Sequence, residues 1–276
     1  MTVQLSKSEI AAMRNAELFT DSDAMYKFAP SLFATTAHPR MSEQYSFTNT
    51  YDILLHIHNK GFRVSSISGG DHQYKKVLVR MRSTHHNRSG GDAPEIVVID
   101  SHDGSARLRM ALGYIRGVCL NGMIAGDLFY HKAFTHRSPD LMAQVMLELD
   151  DMDTPIKQLT KRVDDMSAFK VGLADRIALA DAAVKARWEG DRDASFVTDM
   201  RQQLLRTRRS DDRADDLYTV MNVIQENALR GGMTYMSNHN RLTTVRPVAD
   251  IRKNVNINQS LWNTAEEIMS KALEAA

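Results

Sequence analysis

The sequence lacks most of the patterns that announce a chemistry. Its one cysteine, Cys119, excludes an intramolecular disulfide and fits a reducing compartment. No run of about 18 apolar residues occurs, so no transmembrane helix is expected. The opening MTVQLSKSEIAAMRNAELF has no basic segment ahead of an apolar core, so no secretory signal is expected either. Neither charge sign dominates. Lys and Arg number 35 against 34 Asp and Glu, a net charge of +1, and the pI of 7.9 is below the value above about 9 typical of a dedicated DNA-binding domain. HExxH, paired CxxC, Walker-type and GxSxG patterns are all missing. The two SGGD segments at 68–71 and 89–92 are glycine turns rather than phosphate loops, because no Lys-Ser/Thr follows them. No cofactor or metal is called for.

What is present reads as a mixed globular protein. Hydrophobic residues make up 43% and charged residues 25% of 276, enough for one large core or two modest ones. The near-neutral total hides an asymmetry. Residues 51–137 carry 12 Lys+Arg against 7 Asp+Glu and eight of the ten His, whereas residues 138–276 carry 19 against 22. The first of these stretches is therefore modestly basic, the more so below pH about 6.5.

The chain is organised around Ile96–Arg137. Ile96 to Ile99 is a β-branched run suited to a buried strand. Ser101-His102-Asp103-Gly104 supplies hairpin-turn chemistry: Asp and Gly accept left-handed backbone, and Ser bonds its own backbone. Arg107 to Leu112 then alternates, with Leu108, Met110 and Leu112 on one face and Arg107 and Arg109 on the other. From Tyr114 the spacing of Ile115, Val118, Cys119 and Met123 predicts a short buried helix. His131 to Arg137 alternates again as a strand.

Upstream, Ile10–Phe19 predicts a helix within an N-terminal arm, residues 1–45. Residues 47–61 predict a helix capped by Thr48 or Asn49 and stopped by Gly61, with His56 and His58 read as surface histidines. Phe62–Ile67 and Lys75–Arg82 read as strands. Downstream, an acidic segment near 150 marks a boundary, Ile156 to Val184 reads as one long heptad-like helix, and Leu217–Ile224 as a buried helix stopped by Gly231-Gly232. Arg206, Arg208 and Arg209 beside Asp211, Asp212, Asp215 and Asp216 read as a helix-surface salt-bridge set. A loop-rich segment and a closing helix from Gln259 follow. The fold class expected is α+β: a small, mostly antiparallel sheet with packed helices over 46–150, then a helical region over 151–276.

The candidate chemistry is sparse. Lys76, Arg80 and Arg82 share one side of their strand and Arg107 and Arg109 one side of theirs. If those strands are sheet neighbours, the charges merge into a phosphate-tracking face, with Arg116 close by and Tyr74 and Tyr114 as stacking groups. Ser101, His102, Asp103 and Gly104 form either a structural turn or a polar site. His102 and Asp103 with His131 and His136 could also be imagined as a metal site, but spacing alone does not bring them together. Cys119 reads as an inert core thiol rather than a nucleophile.

The segment SHDGSARLRMALGYIRGVCLNGMIAG resembles a phage/plasmid-like family catalogued as domain of unknown function 932. The similarity rests on Ser101-His102-Asp103-Gly104-Ser105, Arg109, Ile115-Arg116, Val118-Cys119 and Asn121, with a second motif at Asn222, Gln225, Glu226 and Gly231-Gly232. The resemblance implies a mobile-element origin in a bacterial host cytoplasm and brings no activity with it. The layout of helix, strands and helix is also similar to the core of phage single-strand annealing proteins, a fold-level analogy. The expectation is a non-enzymatic, homo-oligomeric protein that binds single-stranded nucleic acid in replication or recombination, without a membrane. The alternative is an interaction protein that inhibits or redirects a host or defence protein.

Overall fold

The computed structural model describes residues 2–4, 22–88, 91–117, 121–125, 131–138, 140–188, 193–237 and 240–274. The expected arm helix at Ile10–Phe19, and Val118 and Cys119, lie outside the described residues. The chain divides into two compact units, Met1–Ile115 with Asp127–Gln158, and Arg116–Gly126 with Leu159–Ala276.

The first unit is built on an antiparallel sheet of β1 (Thr2–Gln4), β2 (Phe62–Gly69), β3 (Val77–Ser83), β4 (Ala93–Asp100) and β5 (Leu108–Arg116), hydrogen-bonded in that order. A further strand, numbered β7 (His131–Phe134) by its place in the chain, pairs with β5. Among the described residues two α-helices precede β2: α1 (Ser22–Phe28) and α2 (Thr50–Asn59). The apolar face of α2 buries Ile53, Leu54 and Ile57 completely, each contributing about 1.5–3 kcal/mol. The helix starts at Asn49, whose side chain accepts from the Tyr51 amide at 2.9 Å. It stops at Gly61, where φ is +87°. It packs against β2 and against α3 (Leu141–Asp150). His56 is half-exposed, but His58 is buried against expectation, because the wide apolar stripe of α2 reaches round to it.

Where a helix is expected after Tyr114, the residues described on either side of 118–120 are strand. Tyr114, Ile115 and Arg116 extend β5, and Asn121–Ile124 form β6. Every residue of β5 from Met110 onward is buried. A strand covered on both faces loses the period-two signal, and its apolar spacing then passes for a helix.

The second unit is helical, with β6 beside it. Its helices are α4 (Asp153–Ala168), which begins in the first unit, α5 (Leu173–Arg187), α6 (Ala194–Leu204), α7 (Leu217–Arg230) and α8 (Ile251–Glu274). A short hairpin, β8 (Thr234–Met236) and β9 (Leu242–Thr244), lies between α7 and α8. The single long helix expected from Ile156 is broken between Ala168 and Gly172. There Lys170 makes an isolated bridge to Asp216, and the Gly172 amide donates to the Asp175 carboxylate at 2.9 Å to start α5. The closing helix starts eight residues before Gln259, since the Asp250 carboxylate caps it by accepting from the Lys253 amide at 2.7 Å. Leu261, Trp262 and Ala265 of α8 are fully buried, and α8 packs on α5, α7 and β6.

Of the arginine–aspartate set, Arg206, Arg208, Asp211 and Asp215 are exposed and Arg209 is half-buried, but Asp212 and Asp216 are interior. Asp212 and Glu226 are almost fully buried. Arg116 donates to Asp212 at 2.6 Å, while Arg209 forks onto Glu226 at 2.6 and 2.7 Å and Arg230 also meets Glu226 at 2.8 Å. Charge density alone suggested a surface; the alternation of sign is the same when charges pair in an interior.

Candidate functional site: the SHDG turn and the cationic strand ends

Two features converge at one end of the first unit's sheet. The turn linking β4 to β5 carries Ser101, His102, Asp103 and Gly104, and the loop linking β2 to β3 carries His72, Tyr74, Lys75 and Lys76. They are tied together where the His102 amide donates to the Tyr74 carbonyl at 3.0 Å.

The turn is held by its own side chains. Ser101 Oγ accepts from the Ala106 amide at 2.8 Å and donates to the Ala106 carbonyl at 3.1 Å. Asp103 Oδ1 accepts from the Ser105 amide at 2.9 Å. Gly104 has φ of +76°, and a Cβ there would meet Met41 Sδ at 3.2 Å. Burial pushes the Asp103 carboxyl upward, but the bonds from Ser105, the charge of Arg40 and the Ser101 hydroxyl outweigh it, so its pKa lies below the usual carboxylate value.

Beneath the turn lies a cluster that sequence spacing did not join. Asp100, fully buried, accepts from the Thr50 hydroxyl at 2.9 Å and from the Ser101 amide at 2.8 Å. His136 Nε2 stands 3.2 Å from Asp100 Oδ1, an ion-pair distance off the hydrogen-bonding direction, and its Nδ1 donates to the Ser46 carbonyl at 3.1 Å. His102 Nε2 sits 3.1 Å from both Thr50 Oγ1 and the Ser31 carbonyl. The Tyr45 ring stacks on His136, with centroids 4.6 Å apart, and its hydroxyl donates to the Ser101 carbonyl at 3.1 Å. Burial, then the charges of Asp100 and Asp103, raise the Tyr45 phenol well above its ordinary value. Burial also lowers the His102 pKa, against the pull of Asp100, which favours the neutral ring. The bonds run mainly within the group, and the cluster clamps residues 31, 45–50, 100–102 and 136 together. A signal was available: an aspartate closing the apolar run IVVID must find hydrogen bonds wherever it is buried.

The histidines and aspartates paired by sequence reading are not brought together as a ligand set. Asp103 faces Ser105 and Arg40, while His131 sits opposite Ala111 in the sheet. Among the described residues no three His, Cys, Asp or Glu side chains gather in a way that could hold a metal ion.

The predicted basic residues separate into two groups. Arg80 and Arg82 do lie on the same sheet face as Arg109, because Leu78 pairs with Ile99 and Ile99 with Arg109, and Lys76 stands just before β3. The strands are not neighbours, however; β4 runs between them. β4 brings Glu95, fully buried, which accepts from Arg80 at 3.2 Å and from the Ser65 hydroxyl at 2.5 Å. Arg80 is thereby an interior ion pair. Arg82 is half-buried and donates to the Gly91 carbonyl, and Arg116 is buried on Asp212 in the second unit. Tyr114 is core as well. Arg107 and Arg109 are exposed, Lys76 is half-buried, and Tyr74 is half-buried with its ring 5.0 Å from His38 and 6.3 Å from His72.

A family model described as "Domain of unknown function (DUF932)" matches residues 37–262. The chain belongs to that family. Two Escherichia coli (strain K12) relatives are similar to this DUF932 chain. UPF0380 protein YafZ is 28% identical over 255 residues, and UPF0380 protein YfjQ is 28% identical over 257 residues. Each alignment covers 90% of this chain and 91% of the relative. No solved structure gives a significant match. The DUF932 match begins one residue before His38 and takes in the clamp except for Ser31, the cationic strand ends and most of the helical unit. No helix among the described residues is long and apolar enough to cross a membrane.

Proposed function

We propose that this protein binds single-stranded nucleic acid without chemical turnover, in the replication or recombination of a phage or other mobile element. The observation that carries this reading is the group formed by Arg109 on the sheet face of Leu78 and Ile99, Lys76 just before β3 and Arg107 just before β5, at the end of the sheet where Tyr74, His38 and His72 gather. β3 and β5 are two strand spacings apart, about 10 Å, a gap that long cationic side chains bridge along a phosphate backbone. Tyr74 supplies a ring on which a base can stack. Arg80, Arg82 and Arg116 are not part of the contact surface in this reading, because each is engaged internally.

The test is fluorescence anisotropy with a labelled oligothymidylate across a salt series. Replacing Arg107 and Arg109 with Ala should weaken binding and reduce the slope of log affinity against log salt by up to about 1.4, at roughly 0.7 per lost single-strand contact. An unchanged slope in a folded double variant would remove these residues from the interface.

A further inference from the structure

Arg187 ends α5 deep in the helical unit and is 6% exposed. Arg80, Arg116 and Arg187 are the buried arginines among the described residues. Arg80 meets Glu95 and Arg116 meets Asp212. Among the described residues the contacts of Arg187 contain no carboxylate. Its guanidinium donates to the carbonyls of Ala228 and Arg246, and it lies over the Trp188 ring at 5.1 Å. Ala228 is in the last turn of α7, so the negative helix end offsets about half an elementary charge. Burial draws the guanidinium down to about 10, and two of its five N–H donors are accounted for by these bonds.

This cation lines a cleft of about 400 Å³, within the usual range for small-ligand sites of roughly 300–1,000 Å³. Arg246 and Lys253 line it too, and Asp250 is the acid among the described lining residues, its carboxylate accepting from the Lys253 amide. The opposite chemistry is aromatic. Trp188 and Tyr235 line the cleft, and each ring is held edge-on by Phe196, at 5.4 and 5.2 Å with interplanar angles of 84°. Cleft geometry depends on Gly231. Its φ is +70°, and a Cβ there would stand 2.4 Å from the Val245 carbonyl oxygen, so glycine lets the 245–246 backbone close on the end of α7 and present the Arg246 carbonyl to Arg187.

We propose that this cleft is a nucleotide site, in which a phosphate neutralises Arg187 with help from Arg246 and Lys253, and the base lies against Trp188 or Tyr235. A simple anion would need the cations alone; the two fixed rings call for a flat aromatic group on the same ligand. The inference stands apart from the strand-binding reading, since Arg107 and Arg109 have no part in it. The nucleotide is either free or the 5′-phosphorylated end of a strand.

The experiment titrates the full chain with AMP, ADP and inorganic phosphate, followed by calorimetry and by tryptophan emission. Of the two tryptophans, Trp262 is fully buried, so quenching by a stacked base reports on Trp188. The expected result is saturable binding of AMP or ADP with quenching. Arg187→Gln should weaken it tenfold or more, and the exposed Arg246→Glu should weaken it severalfold in a protein of unchanged melting temperature. Trp188→Phe should lose the quench while keeping the heat. Competition by a 5′-phosphorylated oligonucleotide but not its unphosphorylated twin assigns the strand end; absence of competition assigns the free nucleotide. Arg107→Ala with Arg109→Ala should leave all of this unaltered, so failure here and failure of strand binding are separable. No heat or quench at about 1 mM nucleotide, phosphate binding as tightly as AMP, or displacement by an acidic peptide alone would each overturn the assignment.

Discussion

Replacing Glu95 with Ala tests where Arg80 belongs. Glu95 is fully buried and holds both Arg80 Nη1 and the Ser65 hydroxyl. Removing the carboxylate leaves Ser65 bonded to the Arg80 carbonyl at 3.2 Å, so the hydroxyl keeps a partner. Arg80, 6% exposed, would lose the carboxylate it meets. Stranding one member of a buried pair in this way costs about 3–5 kcal/mol, a large part of the roughly 5–15 kcal/mol that stabilises an ordinary domain. Exchanging both members for apolar residues, Arg80→Met with Glu95→Leu, should cost far less and can be neutral. Urea unfolding followed by circular dichroism gives the three values. The double exchange should recover most of the loss caused by Glu95→Ala. If Glu95→Ala shifts stability by less than about 1 kcal/mol, Arg80 is solvated and the interior pairing is wrong. A folded Arg80→Met variant should bind oligonucleotide as the parent does.

Three further outcomes follow from the same geometry. Asp103→Ala should lower stability by about 1 kcal/mol, the worth of its bond from the Ser105 amide, and leave nucleic-acid affinity in the folded fraction intact; lost affinity at an unchanged melting temperature would mark the turn as a functional site. His102 titrates lower in the folded than in the unfolded chain, so its contribution to stability is complete above about pH 6.5 and is lost as pH falls through that value towards the folded pKa. A His102→Phe variant should show a flatter stability profile between about pH 7 and 5, and a profile as steep as the parent's would move the effect elsewhere. Gly231→Ala combines a positive φ with a backbone clash, so it should lose more than the ~1–2 kcal/mol of a left-handed non-glycine residue, read as a fall in melting temperature.

The parts of the fold that could be read from the sequence are those where local chemistry and period agree. A cap at Thr48 or Asn49, of which the structure uses Asn49, the stripe of Ile53, Leu54 and Ile57 and the stop at Gly61 defined α2 without tertiary help. The alternation of Val77, Val79 and Met81 likewise defined β3, because its other face carries polar groups. The stretch after Tyr114 was illegible for the converse reason: both faces are buried, so the alternation vanished. The clamp joins Thr50, Asp100, His102 and His136, partners 36 to 52 positions apart, and no local pattern encodes such pairings. Arg80 was misplaced because its counter-charge comes from the next strand. Glu95 inside the apolar stretch before IVVID was a usable sign, since a carboxylate there needs a cation across the ladder.

The central claim is strand binding through Lys76, Arg107 and Arg109, and the most direct measurement is an anisotropy titration of the unmodified protein against a labelled oligothymidylate at about 50 and 150 mM salt. The account predicts saturable binding at roughly 10 µM protein or below, weaker at the higher salt and with little preference among base sequences. An oligonucleotide that stays free at that concentration in both buffers would contradict it.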